Sequence, residues 1–156
     1  MLSIIHGVTG AYLGTVCPQP LVYVPAAVAL HFLEDAVPHW DVGTGMHSGK
    51  RQKLTAFLLE LIDLGLMVGV VFWLFQKTIP SSWAEVNWPA WIGALAGISV
   101  DLVEFPNSFF GWQPALLRPM MKLHDRLHNS AGSVFWGLLP QVLVLGAVIY
   151  LSLRLN

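Results

Sequence analysis

Long apolar runs broken by short polar segments set the pattern of this chain. Residues 2 to 16 are apolar and punctuated by small residues at Gly7, Gly10, Ala11 and Gly14. Glycines at that spacing let helices approach closely within a bilayer. Cys17-Pro18-Gln19-Pro20 reads as a turn, and a second apolar run covers 21 to 35. Both runs fall short of the about 20 residues that a full membrane span needs, so they read as a tight helical hairpin packed on longer neighbours. Residues 36 to 53 form a glycine-containing loop, and 54 to 76 are the clearest membrane helix, interrupted by Glu60 and Asp63. A polar turn at 77 to 88 carries Trp83 and Trp88, suited to a membrane interface. A fourth helix is expected over 89 to 105. A long, proline-broken connection over 106 to 131 comes next, with a short amphipathic helix near 115 to 128. A last membrane helix over 132 to 153 carries Pro140 as an expected kink. The expectation is an all-α polytopic membrane bundle of about five membrane helices, forming one integral membrane domain over 1 to 156.

Composition sharpens this. Of 156 residues, 55% are hydrophobic and only 11% charged, against roughly 25% charged in a soluble domain. A net charge of −1 offers nothing to nucleic acid. The single cysteine, Cys17, excludes an intramolecular disulfide and a cysteine-based zinc site. The N-terminal run lacks the positive n-region and cleavage site of a signal peptide, so it reads as a retained helix. Basic residues gather in two segments, 36 to 53 and 106 to 131. The positive-inside rule places both in the cytoplasm. In a cell membrane crossed by five helices, the N-terminus is then cytoplasmic and the C-terminus on the opposite side.

That topology gathers the ionisable residues. His31, Glu34, Asp35, His39 and Asp41 fall within eleven residues, His31 and Asp35 sharing a helix face. Pro38 should stop or kink that helix and re-aim His39 and Asp41. His6 begins the first helix, Asp101 and Glu104 end the fourth, and His124 and His128 lie in the second basic connection. With His47 in the first inner loop, all six histidines are expected at one membrane face, with Glu60 and Asp63 below it. Ionisable residues within a membrane are costly and mark functional sites. Eight donors, namely His6, His31, Asp35, His39, Asp41, Asp101, His124 and His128, could hold two divalent ions. Imidazole and carboxylate without thiolate suit zinc foremost, or manganese or iron, in hydrolytic roles. Ion-bound water becomes a nucleophile near neutral pH. Glu104 and Glu34 are the candidate catalytic carboxylates that move a proton or steer that water. Lys50, Arg51 and Arg126 could hold a substrate phosphate.

Three stretches resemble a known family. His6-x-x-x-Gly10-x-x-x-Gly14 is similar to the opening of the small membrane-bound metal-dependent hydrolases. Pro38-His39-Trp40-Asp41 stands where that family carries a Pro-Asp-x-Asp-His-type motif, with His in place of the more usual Asp. His124-Asp125-Arg126-Leu127-His128-Asn129-Ser130 resembles its His-Arg-x-x-Thr-His-Ser motif, with the histidines one residue closer. His31-Phe32-Leu33-Glu34-Asp35, followed by Pro38-His39, is also similar to a motif of the zinc-dependent phospholipase C and single-strand nuclease group, with Glu34 in place of Gly. The resemblance implies a metal-dependent hydrolase of phosphoester or lipid-like substrates.

The other reading of the same donors is a metal-ion or proton transporter, favoured by Glu60 and Asp63 deeper in the third helix. A b-type haem protein fits less well, because so many carboxylates suit a porphyrin poorly. Membrane lipid is the expected surrounding partner. Gly93, Ala96 and Gly97 offer a close-packing face for a homo-oligomer.

Overall fold

The computed structural model describes residues 1–17, 19–46 and 48–155. His47 and Pro18, expected in the inner loop and the first turn, lie outside the described residues. Six α-helices make up the fold: α1 (Ser3–Val16), α2 (Pro20–Ala36), α3 (Lys53–Val71), α4 (Trp88–Phe110), α5 (Arg118–Leu127) and α6 (Val134–Arg154). A π-helical turn, Phe72–Gln76, extends α3, and a 3-10 turn covers Trp83–Glu85. The described residues form no strand, only a single parallel bridge between His39 and Ser130. The protein is all-α.

Two helical stretches, Lys53–Gln76 and Val134–Arg154, are long and apolar enough to cross a membrane. Their large apolar side chains are mostly not buried in the protein: Leu58, Ile62 and Leu66 on α3, and Phe135, Val142 and Leu143 on α6, are all exposed.

The centre of the bundle is α1, which packs most extensively on α4 and also touches α2, α3 and α6. Glycine makes the α1–α4 contact possible. A Cβ on Gly10 would lie 2.2 Å from the Gly93 carbonyl oxygen, and one on Gly97 would lie 2.0 Å from that of His6. Both are far inside van der Waals contact, so the two backbones touch directly. The Gly93 and Gly97 face expected to serve an oligomer is thus occupied by α1 of the same chain. Val8, Ala11, Met67, Val71, Ala94 and Ile98 fill the core around this contact.

Three helix ends decide where the polar side chains sit. α2 stops at Ala36, and Val37 is extended (φ −76°, ψ 135°), as a residue before proline must be. The sequence places the end of the fourth helix at 105, but α4 continues through Pro106 to Phe110. The real stop is Gly111, whose φ of 70° lets its N–H and that of Trp112 bond back to Asn107 and Pro106. The N-terminus of α1 is capped from another helix. Asp63 on α3 accepts the Ser3 N–H at 2.5 Å and the Ile4 N–H at 3.3 Å, and Glu60 accepts the Ser3 hydroxyl at 2.6 Å. Asp63 therefore satisfies backbone groups that a helix start leaves open, and Glu60 holds the Ser3 side chain beside it.

Candidate metal centre

Five of the six histidines converge on Asp35, which is fully buried near the end of α2. Its Oδ2 lies 2.6 Å from His124 Nε2 and 3.2 Å from His31 Nε2. Its Oδ1 lies 3.2 Å from His6 Nε2 and 3.6 Å from His39 Nε2. The Met1 main-chain nitrogen also contacts Asp35 Oδ1 and sits 3.0 Å from His6 Nε2.

Local structure explains the convergence. One helical turn separates His31 from Asp35, so both face α4, where His31 Nε2 also comes within 3.7 Å of Asp101 Oδ1. Beyond Pro38 the chain runs extended beside the segment after α5. The Asn129 N–H donates to Asp35 O, His39 N–H to Asn129 O, and Ala131 N–H to His39 O. That pairing sets His39 Nε2 3.0 Å from His128 Nε2. Asp41 Oδ2 closes this side, 3.2 Å from His128 Nε2 and 3.5 Å from His39 Nε2.

The donors fall into two overlapping sets. The ligand atoms of His31, Asp35, Asp101 and His124 all lie within 4.8 Å of one another, as do those of Asp35, His39 and His128. Asp35 belongs to both. His6 stands beside the cluster, outside both sets, its ring 3.9 Å from that of His31.

Each ring turns Nε2 inward, because Nδ1 is engaged elsewhere. His31 Nδ1–H donates to Gly97 O at 2.8 Å, and His39 Nδ1–H donates to Val37 O at 2.9 Å. A carbonyl can only accept, so the proton sits on Nδ1 and Nε2 keeps a lone pair. Glu104 takes His124 Nδ1 at 2.8 Å, and Glu34 takes His6 Nδ1 at 2.6 Å. Ser130 Oγ is 3.4 Å from His128 Nδ1. Such outer acceptors fix the tautomer and orientation of metal-binding histidines. His31 Nε2 is buried without a well-formed hydrogen bond, and so is Asp41 Oδ2. A lone pair facing carboxylate oxygens across about 3 Å is repulsive unless a cation lies between them.

The same contacts shift the ionisable groups that lie outside the membrane helices. Burial opposes charge on His124, yet hydrogen bonds to Asp35 and Glu104 push its pKa up to about 10. Burial likewise opposes charge on Asp41, while His128 and His39 hold its carboxyl well below the usual range. Both groups thus favour their charged forms, and an ion bound by His124 would have to displace the proton on its Nε2.

No family model, no curated protein and no solved structure matches this chain.

A cavity of about 660 Å³ adjoins the cluster, with Asp41, Asp101, Glu104, His124 and His128 in its wall. The residues expected to hold phosphate are elsewhere. Arg51 donates to the carbonyls of Asp41 (3.2 Å) and Val42 (2.5 Å) and lies over the Trp40 ring. Its guanidinium pins the loop carrying Asp41. Lys50 and Arg126 are exposed, and no lysine or arginine is among the described cavity-wall residues. Glu104 and Glu34, expected as catalytic carboxylates, hold the Nδ1 atoms of His124 and His6. Each keeps one oxygen, Oε1, buried and unpartnered.

One residue that positions the site gave no sequence signal. Gln141, buried in α6, accepts the Leu2 N–H at 2.8 Å and donates to Trp40 O at 2.6 Å and Gly137 O at 2.8 Å. It ties the start of α1 and the loop after α2 to α6. Gly137 leaves room for that loop, since a Cβ there would come within 2.5 Å of Trp40 N.

Proposed function

We propose that this chain is a membrane-embedded, metal-dependent hydrolase of phosphoester or lipid-like substrates, with two divalent ions, zinc foremost, bound at the cytoplasmic face. The observation that carries the reading is Asp35. One carboxylate is shared by two donor sets, each supplied with two inward Nε2 atoms; Asp101 belongs to the first, and Asp41 stands beside His39 and His128 of the second. A divalent ion in such a site supplies Lewis acidity and makes water nucleophilic near neutral pH. If the two sets each held an ion, Asp35, His31, His124, His39 and His128 would hold them, and the ions would supply countercharge for displacement at phosphorus.

The chain's own residues supply the rest. The Gly97 and Val37 carbonyls hold the Nδ1 atoms of His31 and His39 and so turn their Nε2 atoms inward. Glu104, a residue of the cavity wall, orients His124 through one oxygen and keeps the other buried and unpartnered as a proton acceptor. The five-helix topology, with both basic segments and the cluster cytoplasmic, belongs to the same proposal. It is supported by the exposed apolar faces of α3 and α6 and by the short α1 and α2 packing against their neighbours. The transporter alternative loses its main support, because Asp63 and Glu60 are engaged with the start of α1.

The deciding experiment is elemental analysis of detergent-purified protein, wild type beside His31→Ala/Asp35→Ala, followed by a phosphoester hydrolysis screen. Near-stoichiometric zinc, manganese or iron that disappears in the double variant, together with hydrolysis that disappears with it, is the expected result. Absence of metal from both proteins after reconstitution overturns the reading.

A further inference from the structure

The cavity beside the cluster has a second character. Away from the cluster its wall is apolar, built by Phe57, Leu61 and Leu64 on α3 and Leu102, Phe105 and Phe109 on α4. The α3 residues recur at four and three positions and the α4 residues at three and four, so each trio occupies one helix face. Leu61 and Leu102 line the cavity and are also 49% and 44% exposed. The cavity therefore opens sideways between α3 and α4. Leu61 lies about 12 Å along the helix axis from Lys53, on a helix long and apolar enough to span a membrane. That depth is within the hydrocarbon layer. A water-soluble phosphate ester gains nothing from six apolar side chains, whereas an alkyl chain is complementary to them.

We infer that the substrate is a membrane amphiphile, a phosphate-bearing lipid that slides in between α3 and α4. Its head meets the His/Asp cluster and its acyl chain lies along the Phe57–Leu64 face. The head-group part rests on the metal-hydrolase reading; the acyl groove stands on the cavity alone.

The test uses full-length protein in nanodiscs doped with phosphatidate carrying a diazirine in its acyl chain, with photo-adducts mapped by mass spectrometry. Adducts are expected on Phe57, Leu61 and Leu64 in excess over the outward Leu58 and Leu66. Excess lysophosphatidate should displace them, and glycerol phosphate, which has a similar head and no chain, should not. Leu61→Trp should lower the yield several-fold, and Leu66→Trp should leave it unchanged. Even labelling of both faces, displacement by glycerol phosphate, or indifference to Leu61→Trp overturns the inference. Zinc content of the same samples separates the two readings. Face-selective labelling without bound zinc leaves the groove standing and removes the metal centre, whereas bound zinc with even labelling does the reverse.

Discussion

Asp35 uses its two oxygens in opposite directions, Oδ2 toward His31 and His124 and Oδ1 toward His6 and His39. Asp35→Asn preserves the shape and removes the charge that both donor sets share. It should abolish binding of both ions, read as metal-to-protein ratio. Asp41→Asn should remove only the ion on the His39 side and leave a ratio near one. Glu104 separates two roles that the sequence could not. As the acceptor of His124 Nδ1, it sets how firmly that ring is held, and loss of such a partner weakens metal affinity by about 10–100-fold. Glu104→Gln is expected to show that loss in a zinc titration. Full affinity with depressed hydrolysis would instead make Glu104 a proton carrier alone. The residues that converge around Asp35 were legible in the sequence. A His and an Asp one turn apart, just before a proline, stand out in an apolar chain, and so do paired histidines in a basic connection. Gln141 was not legible, since a lone glutamine in an apolar helix has no periodicity or charge to mark it, and its three partners lie on separate segments. Arg51 was misread for a related reason. A basic residue near a candidate site suggests phosphate, but the guanidinium is consumed by two carbonyls and the Trp40 ring.

Among the elements, α1 and α4 form the frame. Their glycines were read correctly as a close-packing device, but the partner of Gly93 and Gly97 could not be read from a pattern that any small-residue face would satisfy. The contact also reaches the chemistry, since Gly97 lends its carbonyl to His31 and its missing side chain to His6 O. Gly97→Ala must separate the helices, at a cost of about 1–3 kcal/mol for overpacking, and must shift the acceptor of His31. We expect a lower thermal midpoint in detergent together with reduced zinc occupancy. Gly65→Ala, where an added methyl meets open space, should change neither. Gln141→Leu should cost about 1–3 kcal/mol, the scale for leaving buried backbone groups without partners. The end of α4 shows why boundaries are hard to read. Pro106 looked like a stop, yet α4 runs through it, and the terminating signal was the glycine five residues later.

For the whole molecule, the decisive expectation is sidedness. In a Cys17→Ser background, Ser48→Cys and Gln113→Cys should react with an impermeant maleimide only after right-side-out vesicles are opened. Ser81→Cys, in the turn between α3 and α4, should react without opening. Labelling of Ser48→Cys and Gln113→Cys on different sides would break the convergence on which the metal centre depends. Metal should also stabilise the fold, because the site exists only when folded. At a free ion concentration of about 100 Kd the gain is about 2.7 kcal/mol, so a chelator should lower the unfolding temperature of wild type and leave Asp35→Asn unmoved.

The pairing of the segment after α2 with the segment after α5 has a consequence for how the protein is made. The first five donors, His6 through Asp41, emerge from the ribosome well before Asp101, His124 and His128. Until α5 docks and Asn129 and Ala131 bond to Asp35 and His39, neither donor set is complete. On the proposed function, ion capture would be a late event in biogenesis, and a nascent chain stalled before α5 would carry most of the ligands without a site. On that proposal, metal content would be a readout of finished assembly.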